Sequence, residues 1–252
     1  MIPTIFGVTL IVFLIIHLIP GDAVTLMMAE SANVDKSQVE VLKKKLGLDK
    51  PLYLQYIIWL GNLGRGELGH SLWTKKPVLD EIAQKLPVTF ELAVFSMIFS
   101  LIFAIPIGII SAVKQDTAAD YISRLFSIGG LSVPNFWLAT LFIVLPSIWF
   151  LWTPPVKYYP FFENPKINLT QMIFPTISMG LALSATVMRM MRSALLEVFR
   201  QDYIRTARAK GLREKLIISR HALKNSMNPV ISIIGVQFGT LLGGTIIIEQ
   251  VF

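Results

Sequence analysis

Residues 195–230 read LLEVFRQDYIRTARAKGLREKLIISRHALKNSMNPV, a polar and strongly basic segment held between two long apolar runs. Between Arg189 and Lys224 the chain carries ten Lys/Arg against Glu197, Asp202 and Glu214, a local +7 that equals the formal charge of all 252 residues. Such a segment belongs in water. The apolar runs on either side are therefore the parts that meet lipid, and the chain is organised around the loop where they surface. Within the loop, Leu196, Phe199, Tyr203 and Ala207 follow 3/4 spacing and predict one apolar helical stripe, with Arg205 and Arg208 elsewhere on the same cylinder. Gly211 stands where that helix could end in a left-handed cap. A second amphipathic run covers 212–223, and Asn228 before Pro229 reads as an N-cap with proline at the first helical position. The loop is expected to be folded.

Composition agrees with this reading. Hydrophobic residues make up 54% and charged residues 15%, with a mean hydropathy of +0.62, so this is a polytopic, all-α membrane protein. A span needs about 20 apolar residues to cross roughly 30 Å of hydrocarbon. Five runs meet or approach that length, at 2–19, 89–113, 121–151, 171–188 and 229–248. There is no cysteine, hence no disulfide framework, thiolate metal site or cysteine nucleophile. Because the positive charge is gathered in one loop, it argues for topology and a docking surface rather than for nucleic acid. Charge alone is also what the positive-inside rule gives a cytoplasmic loop.

A short helix-Gly-helix loop between two spans resembles the ATPase-coupling loop of ABC importer permeases, whose pattern is Glu-Ala-Ala, three residues, Gly, nine residues, Ile, one residue, Leu-Pro. Aligned on Gly211, this chain has Arg205, Thr206 and Ala207 before it, with Arg208 next in line, and His221, Ala222, Leu223 and Lys224 after it. The second alanine, the glycine and the leucine are kept. The glutamate, first alanine, isoleucine and proline are not, and those departures (DYIRTARAKGL, then HALKN) are similar to the dipeptide, oligopeptide and nickel branch. Residues 47–92 resemble the same branch. The resemblance implies the type I importer permease fold, with 1–88 as a first transmembrane helix plus extracytoplasmic insert and 89–252 as the permease core. Relatives of this kind carry a short lead before the first span and a sixth span after a similar EQVF, so five spans and two trimmed ends are expected. The partners implied are ABC ATPase subunits, a second permease subunit that is a paralogue, an extracytoplasmic substrate-binding protein and the lipid of the cell membrane. No cofactor is implied on this chain.

Other features weigh less. His17 is the only ionisable residue in the first run, and intramembrane ionisable groups are functional candidates, but it stands near the end of the run. The insert 21–87 carries nine Lys/Arg and eight Asp/Glu. Its GRGELGHS, residues 64–71, approaches the P-loop spacing but has His70 where the phosphate-binding lysine is required, and reads as turns. Glu91 is expected at the interface. The third run is broken by SVPN, where Pro134 predicts a kink that turns Ser132 and Asn135 toward protein or a water-filled path. Trp149, Phe150 and Trp152 read as an interfacial aromatic belt. Asn168-Leu169-Thr170 matches a glycosylation sequon and carries no weight, and Arg189 and Arg192 are expected to snorkel to the surface. Gly235, Gly239 and Gly243 form a small-residue face suited first to helix packing inside the chain, and otherwise to contact with a second permease subunit or to lining the pore. An ion-coupled transporter would need carboxylates at mid-membrane, which these runs lack, and no HExxH or GxSxG supports a membrane enzyme.

Overall fold

A computed structural model describes residues 2–18, 44, 47–71, 74–155, 157–244, 248 and 251–252, and among these it is helical, with one isolated bridge between His70 and Pro77. The stop of the first apolar run after Leu18, residues 21–43, 45–46 and 72–73 of the insert, and Glu249 and Gln250 of EQVF lie outside the described residues. The chain divides into two compact units, Met1–Ala83 and Gln84–Phe252.

In the first unit, α1 (Ile2–Leu18) faces α2 (Leu52–Gly64) through aromatic contacts. Phe13 lies 5.2 Å from Tyr56 and 6.4 Å from Trp59, centroid to centroid. His17 is tied down, with Nδ1 2.8 Å from the Phe13 carbonyl and Nε2 3.2 Å from Gln55 Oε1. The GRGELGHS segment is a set of turns, with Gly66 and Gly69 at φ +78° and +74°, a conformation that favours glycine.

The long helix α3 (Val78–Val113) begins in the first unit, well before the expected start of the second span, with Asp80 and Glu81 in its first turn. Acidic groups at a helix N-terminus suit its dipole, so the helix extends beyond the apolar run. The second unit continues with α4 (Ala118–Ser132), α5 (Asn135–Phe150) and α6 (Pro165–Phe199). Three helices follow, α7 (Asp202–Ala209), α8 (Glu214–Leu216) and, after a π-helical segment Ile217–Ala222, α9 (Leu223–Gly244). At its centre is α6, which packs against α4, α5 and α9. Large apolar side chains face outward, with Ile102, Leu125 and Val236 each more than 60% exposed, the arrangement expected where lipid is the solvent.

Three helices, α3, α6 and α8 to α9 taken together, are long and apolar enough to cross a membrane, and α4 with α5 makes a fourth candidate; α1, at 17 residues, is the shorter apolar helix. The break between α4 and α5 is a 90° bend rather than the expected kink. Val133 and Pro134 are both extended, at φ, ψ of −91°, 122° and −62°, 133°. Proline disfavours the α conformation in the residue before it, so two consecutive residues leave the helix and the chain turns a corner.

The fifth span does not start at Pro229. Asn228 and Pro229 lie inside α9, where Ser226 and Val230 continue, from Ala222 at the end of the π segment, a fully buried stripe at four-residue spacing that keeps the chain helical through the proline. Helix α6 likewise starts before the expected 171, capped by the Asn164 side chain, which accepts from the Ile167 N–H at 3.2 Å.

Close helix approach uses glycines other than those singled out in the sequence. A Cβ on Gly108 would lie 2.9 Å from the Met188 carbonyl oxygen and from Met191 Cβ, and one on Gly180 2.5 Å from a Phe99 ring carbon. Gly235, Gly239 and Gly243 face open space among the described residues, so their face packs against nothing described in this chain.

Candidate functional site

The basic loop is built from the end of α6 through α7 and the π segment into α9. Helix α6 stops at Arg200 and Gln201 is extended, with ψ 146°. That one residue shifts the phase of the expected stripe. Leu196 and Phe199 stay on α6, and on α7 the buried residues are Ile204 and Ala207, while Tyr203 is 42% exposed and accepts a 2.7 Å bond from Asn225 Nδ2. Ile204 joins Leu195 and Met191 of α6, Ile217 and Ala222 of the π segment and Val230 of α9 in one buried cluster. The loop is therefore pinned into the helix core by its apolar side.

Gly211 closes α7. At φ +74°, its N–H donates to the Arg208 carbonyl at 2.9 Å and the Leu212 N–H to the Ala207 carbonyl at 3.3 Å. These are the two bonds of a Schellman cap, so the left-handed cap read from the sequence is present. Nothing lies within 4 Å of a Cβ placed there, which makes backbone conformation, not space, the constraint within this chain.

The outer face of the loop is cationic. Arg205, Thr206, Arg208, Lys210, Arg213, Lys215, Arg220 and Lys224 are exposed. Arg205 approaches Asp202 at 3.5 Å, with both side chains more than 80% exposed, and contributes little in that state. Arg208 binds Glu214 at 2.6 Å and lies 5.7 Å over the Phe199 ring, bridging the two sides of the Gly211 turn. Glu214 opens the α8 to α9 stretch at its polar end, and its bond raises the guanidinium of Arg208, which lies outside the spans. Of the remaining residues singled out in the loop, Ala222 is buried and His221 and Leu223 half-buried.

Directly behind the loop is a group that sequence reasoning missed. Asp120, fully buried in the first turn of α4, accepts from Arg192 Nε and Nη2 at 2.7 and 2.8 Å. It also accepts from the Ser111 hydroxyl at 2.6 Å and the Asp116 N–H at 3.0 Å. Arg192 is thus locked to a carboxylate rather than snorkelling. The fork-to-fork geometry is the strong form of this interaction, and it ties α3, α4 and α6 together at the basic end. A residue pair this far apart in sequence leaves no local signal; Asp120 opening an apolar helix was the only hint.

At the opposite end of α3 and α6 a second polar cluster holds the 151–164 connection. Glu91 accepts from the Tyr158 hydroxyl and from Asn168 Nδ2, which also donates to the Tyr159 carbonyl at 2.9 Å. Gln171 Nε2 donates to the Pro155 carbonyl at 2.9 Å. Burial and the bond to Glu91 push the Tyr158 phenol above its usual range. Asn168 is fully buried, so its side chain is a structural ligand of Glu91 and the sequon is physically closed. In the break between α4 and α5, Ser132 is exposed and donates to the Ile128 carbonyl at 2.8 Å, and Asn135 is half-buried beside exposed Pro134. These three residues do not meet the loop; they lie on the helix bend.

Residues 104–252 match the family described as binding-protein-dependent transport system inner membrane component, and residues 2–93 match the N-terminal membrane component of the same systems. The whole chain is similar to the di/tripeptide transport system permease protein DppB of Pseudomonas aeruginosa, 39% identical and covering 81% of that protein. It is also similar to the glutathione transport system permease protein GsiC of Pectobacterium atrosepticum and of Escherichia coli K12, at 40% and 37% identity, covering 79% of each.

Proposed function

The chain belongs to the family of binding-protein-dependent transport system inner membrane components, and from that membership we propose that its basic loop is the surface through which ATPase subunits drive transport and that its cargo is a short peptide. It is a multi-pass permease subunit of an ATP-driven importer and makes no bonds itself; hydrolysis is carried out by separate subunits. Ion-coupled transport is set aside by that membership. The described acidic groups agree, since Asp120 and Glu91 are bonded at opposite ends of the helices and neither is free at mid-depth.

The observation that carries the coupling role is the burial of Ile204 and Ala207 in the same cluster as α6 and α9. A push on α7 is transmitted to those helices because a packed core has low compressibility. The cationic face of Arg205, Arg208 and Lys210 fits an acidic groove on an ATPase. Closure of that ATPase would tilt the helices and switch the cavity between its two faces. Ser132, Pro134 and Asn135 are assigned to the translocation path, and the open face of Gly235, Gly239 and Gly243 to a second, paralogous permease subunit. The cell membrane is the proposed location, with a binding protein delivering cargo at the outer face. The peptide cargo rests on the names of the relatives, which specify di/tripeptides and glutathione.

The test is energetic. Uptake of a labelled dipeptide by cells carrying the complete importer should collapse on ATP depletion and survive a proton uncoupler when ATP is maintained. The opposite pattern would sink the assignment.

A further inference from the structure

The ion pair behind the basic loop leaves one cation over. Asp120 carries a single negative charge, and its oxygens are already taken by Arg192, the Ser111 hydroxyl and the Asp116 N–H. Arg124, one turn further along α4, comes only to 3.8 Å from Asp120 Oδ1, too far for a hydrogen bond. Its Nε is buried and without a partner among the described residues. Lys114 and Asp116, both exposed in the connection before α4, cancel each other, so Asp120, Arg192 and Arg124 together keep one positive charge.

That charge is presented outward. The Arg124 side chain is 42% exposed, and Nη1 and Nη2, which are not buried, make no hydrogen bond among the described residues. The guanidinium stacks 4.5 Å from the centroid of the exposed Tyr121 ring, which occupies a face of the group and leaves its N–H edge free. Around it on α4, Ile122, Leu125 and Ile128 are each more than 60% exposed, the make-up of a side that faces lipid. Its neighbour Arg192 stands about 12 Å along α6 from Arg200, where that helix ends, at about 1.5 Å per residue. Arg124 therefore lies at the border between the lipid-facing helices and the basic loop, the depth of lipid phosphates.

We propose that Arg124 binds the phosphate of an anionic phospholipid in the leaflet beside the basic loop, its Nη1–H and Nη2–H donating to the non-bridging oxygens. A planar guanidinium matches a phosphate in this way. The apolar side chains next to it suit the acyl chains and argue against a free phosphate. The surplus charge, with the +7 of the loop at the same end, favours a lipid whose phosphate is not neutralised by an ammonium of its own. The site depends neither on the cargo nor on the ATPase-facing role of the loop.

The experiment titrates the purified complete importer in detergent with phosphatidylglycerol and follows the retained lipid by native mass spectrometry. Arg124→Gln should weaken phosphatidylglycerol retention at one site on this chain about fivefold, the worth of one cation at an anionic membrane surface. Arg124→Lys keeps the charge but loses the fork, and should fall between Arg124→Gln and the wild type. Lys166→Gln, which removes an exposed cation at the opposite end of α6, should change nothing. Phosphatidylcholine should be retained more weakly than phosphatidylglycerol, and excess inorganic phosphate should not displace the bound lipid. If Arg124→Gln fails to assemble, the lysine variant decides alone, and wild-type retention by it would overturn the site. Wild-type retention by Arg124→Gln, or an equal loss in Lys166→Gln, would overturn it as well. Phosphatidylcholine held as tightly as phosphatidylglycerol would contradict the preference for an anionic lipid, and displacement by inorganic phosphate would make this a free-anion site and refute the lipid as its occupant.

Discussion

Replacing Gly211 separates the mechanical role of the loop from its mere presence. The residue sits at φ +74° in open space, so a substitution is penalised through the backbone. Placing an L-residue in the left-handed region costs about 1–2 kcal/mol, and a β-branched side chain is a genuine outlier there. Escaping the strain means giving up the Leu212 to Ala207 and Gly211 to Arg208 bonds, each worth about 1 kcal/mol net. By either route Gly211→Val costs about 2 kcal/mol, a shift of about thirtyfold toward an unformed turn. Gly211→Asn, whose side chain tolerates this region, should cost much less. Insertion should be normal for both, because the cluster around Ile204 is untouched. In reconstituted importer, Val should abolish most ATP-driven uptake and Asn should retain most of it. Uptake by the Val variant equal to wild type would refute the reasoning. Equal loss in both variants would show that the groove of the ATPase excludes any side chain and that cap conformation is not the cause.

Three further outcomes follow from the packing. Asp120→Asn leaves Arg192 without its carboxylate and should destabilise the purified chain by about 3–5 kcal/mol, whereas Asp120→Asn with Arg192→Met should recover part of that loss; equal melting temperatures for single and double variants would contradict the clamp. Gly180→Val and Gly108→Val meet Phe99 and Met191 and should cost about 1–3 kcal/mol by overpacking, while Gly235→Val, with open space beside it, should leave the melting temperature of the isolated chain unchanged. Deleting Ser219, exposed in the π segment, removes the extra residue of a wide turn, a feature that recurs at functional sites; the chain should insert normally and lose uptake, and full uptake would make the π turn incidental.

What the sequence disclosed was whatever has a local signal. Apolar runs marked the helices, and Gly211 announced its cap because few residues tolerate that conformation. Pro134 marked a break but not its size, since a kink and a 90° corner differ only in whether Val133 also leaves the helix. The stripe through Tyr203 was misphased because one extended residue, Gln201, rotates α7 relative to α6. Asp120 with Arg192, and Glu91 with Asn168, are tertiary pairs whose partners lie on different helices, and nothing in their local sequence joins them. Gly108 and Gly180 carry no GxxxG pattern, yet they are where the helices touch, while the patterned glycines of α9 face outward. The family resemblance pointed to the loop as the site, and the structure added how it is anchored, through Ile204 rather than through its charges.

The central claim is that the cationic turn at Gly211 lies against the ATPase. In the complete importer, a thiol-reactive crosslinker at Lys210→Cys should join this chain to an ATPase subunit, with a yield that changes on adding ATP, and the same reagent at exposed Ile231→Cys on α9 should not. Labelling of Lys210→Cys by a membrane-impermeant reagent added outside intact cells, or no crosslink to the ATPase in an assembled and active importer, would contradict it.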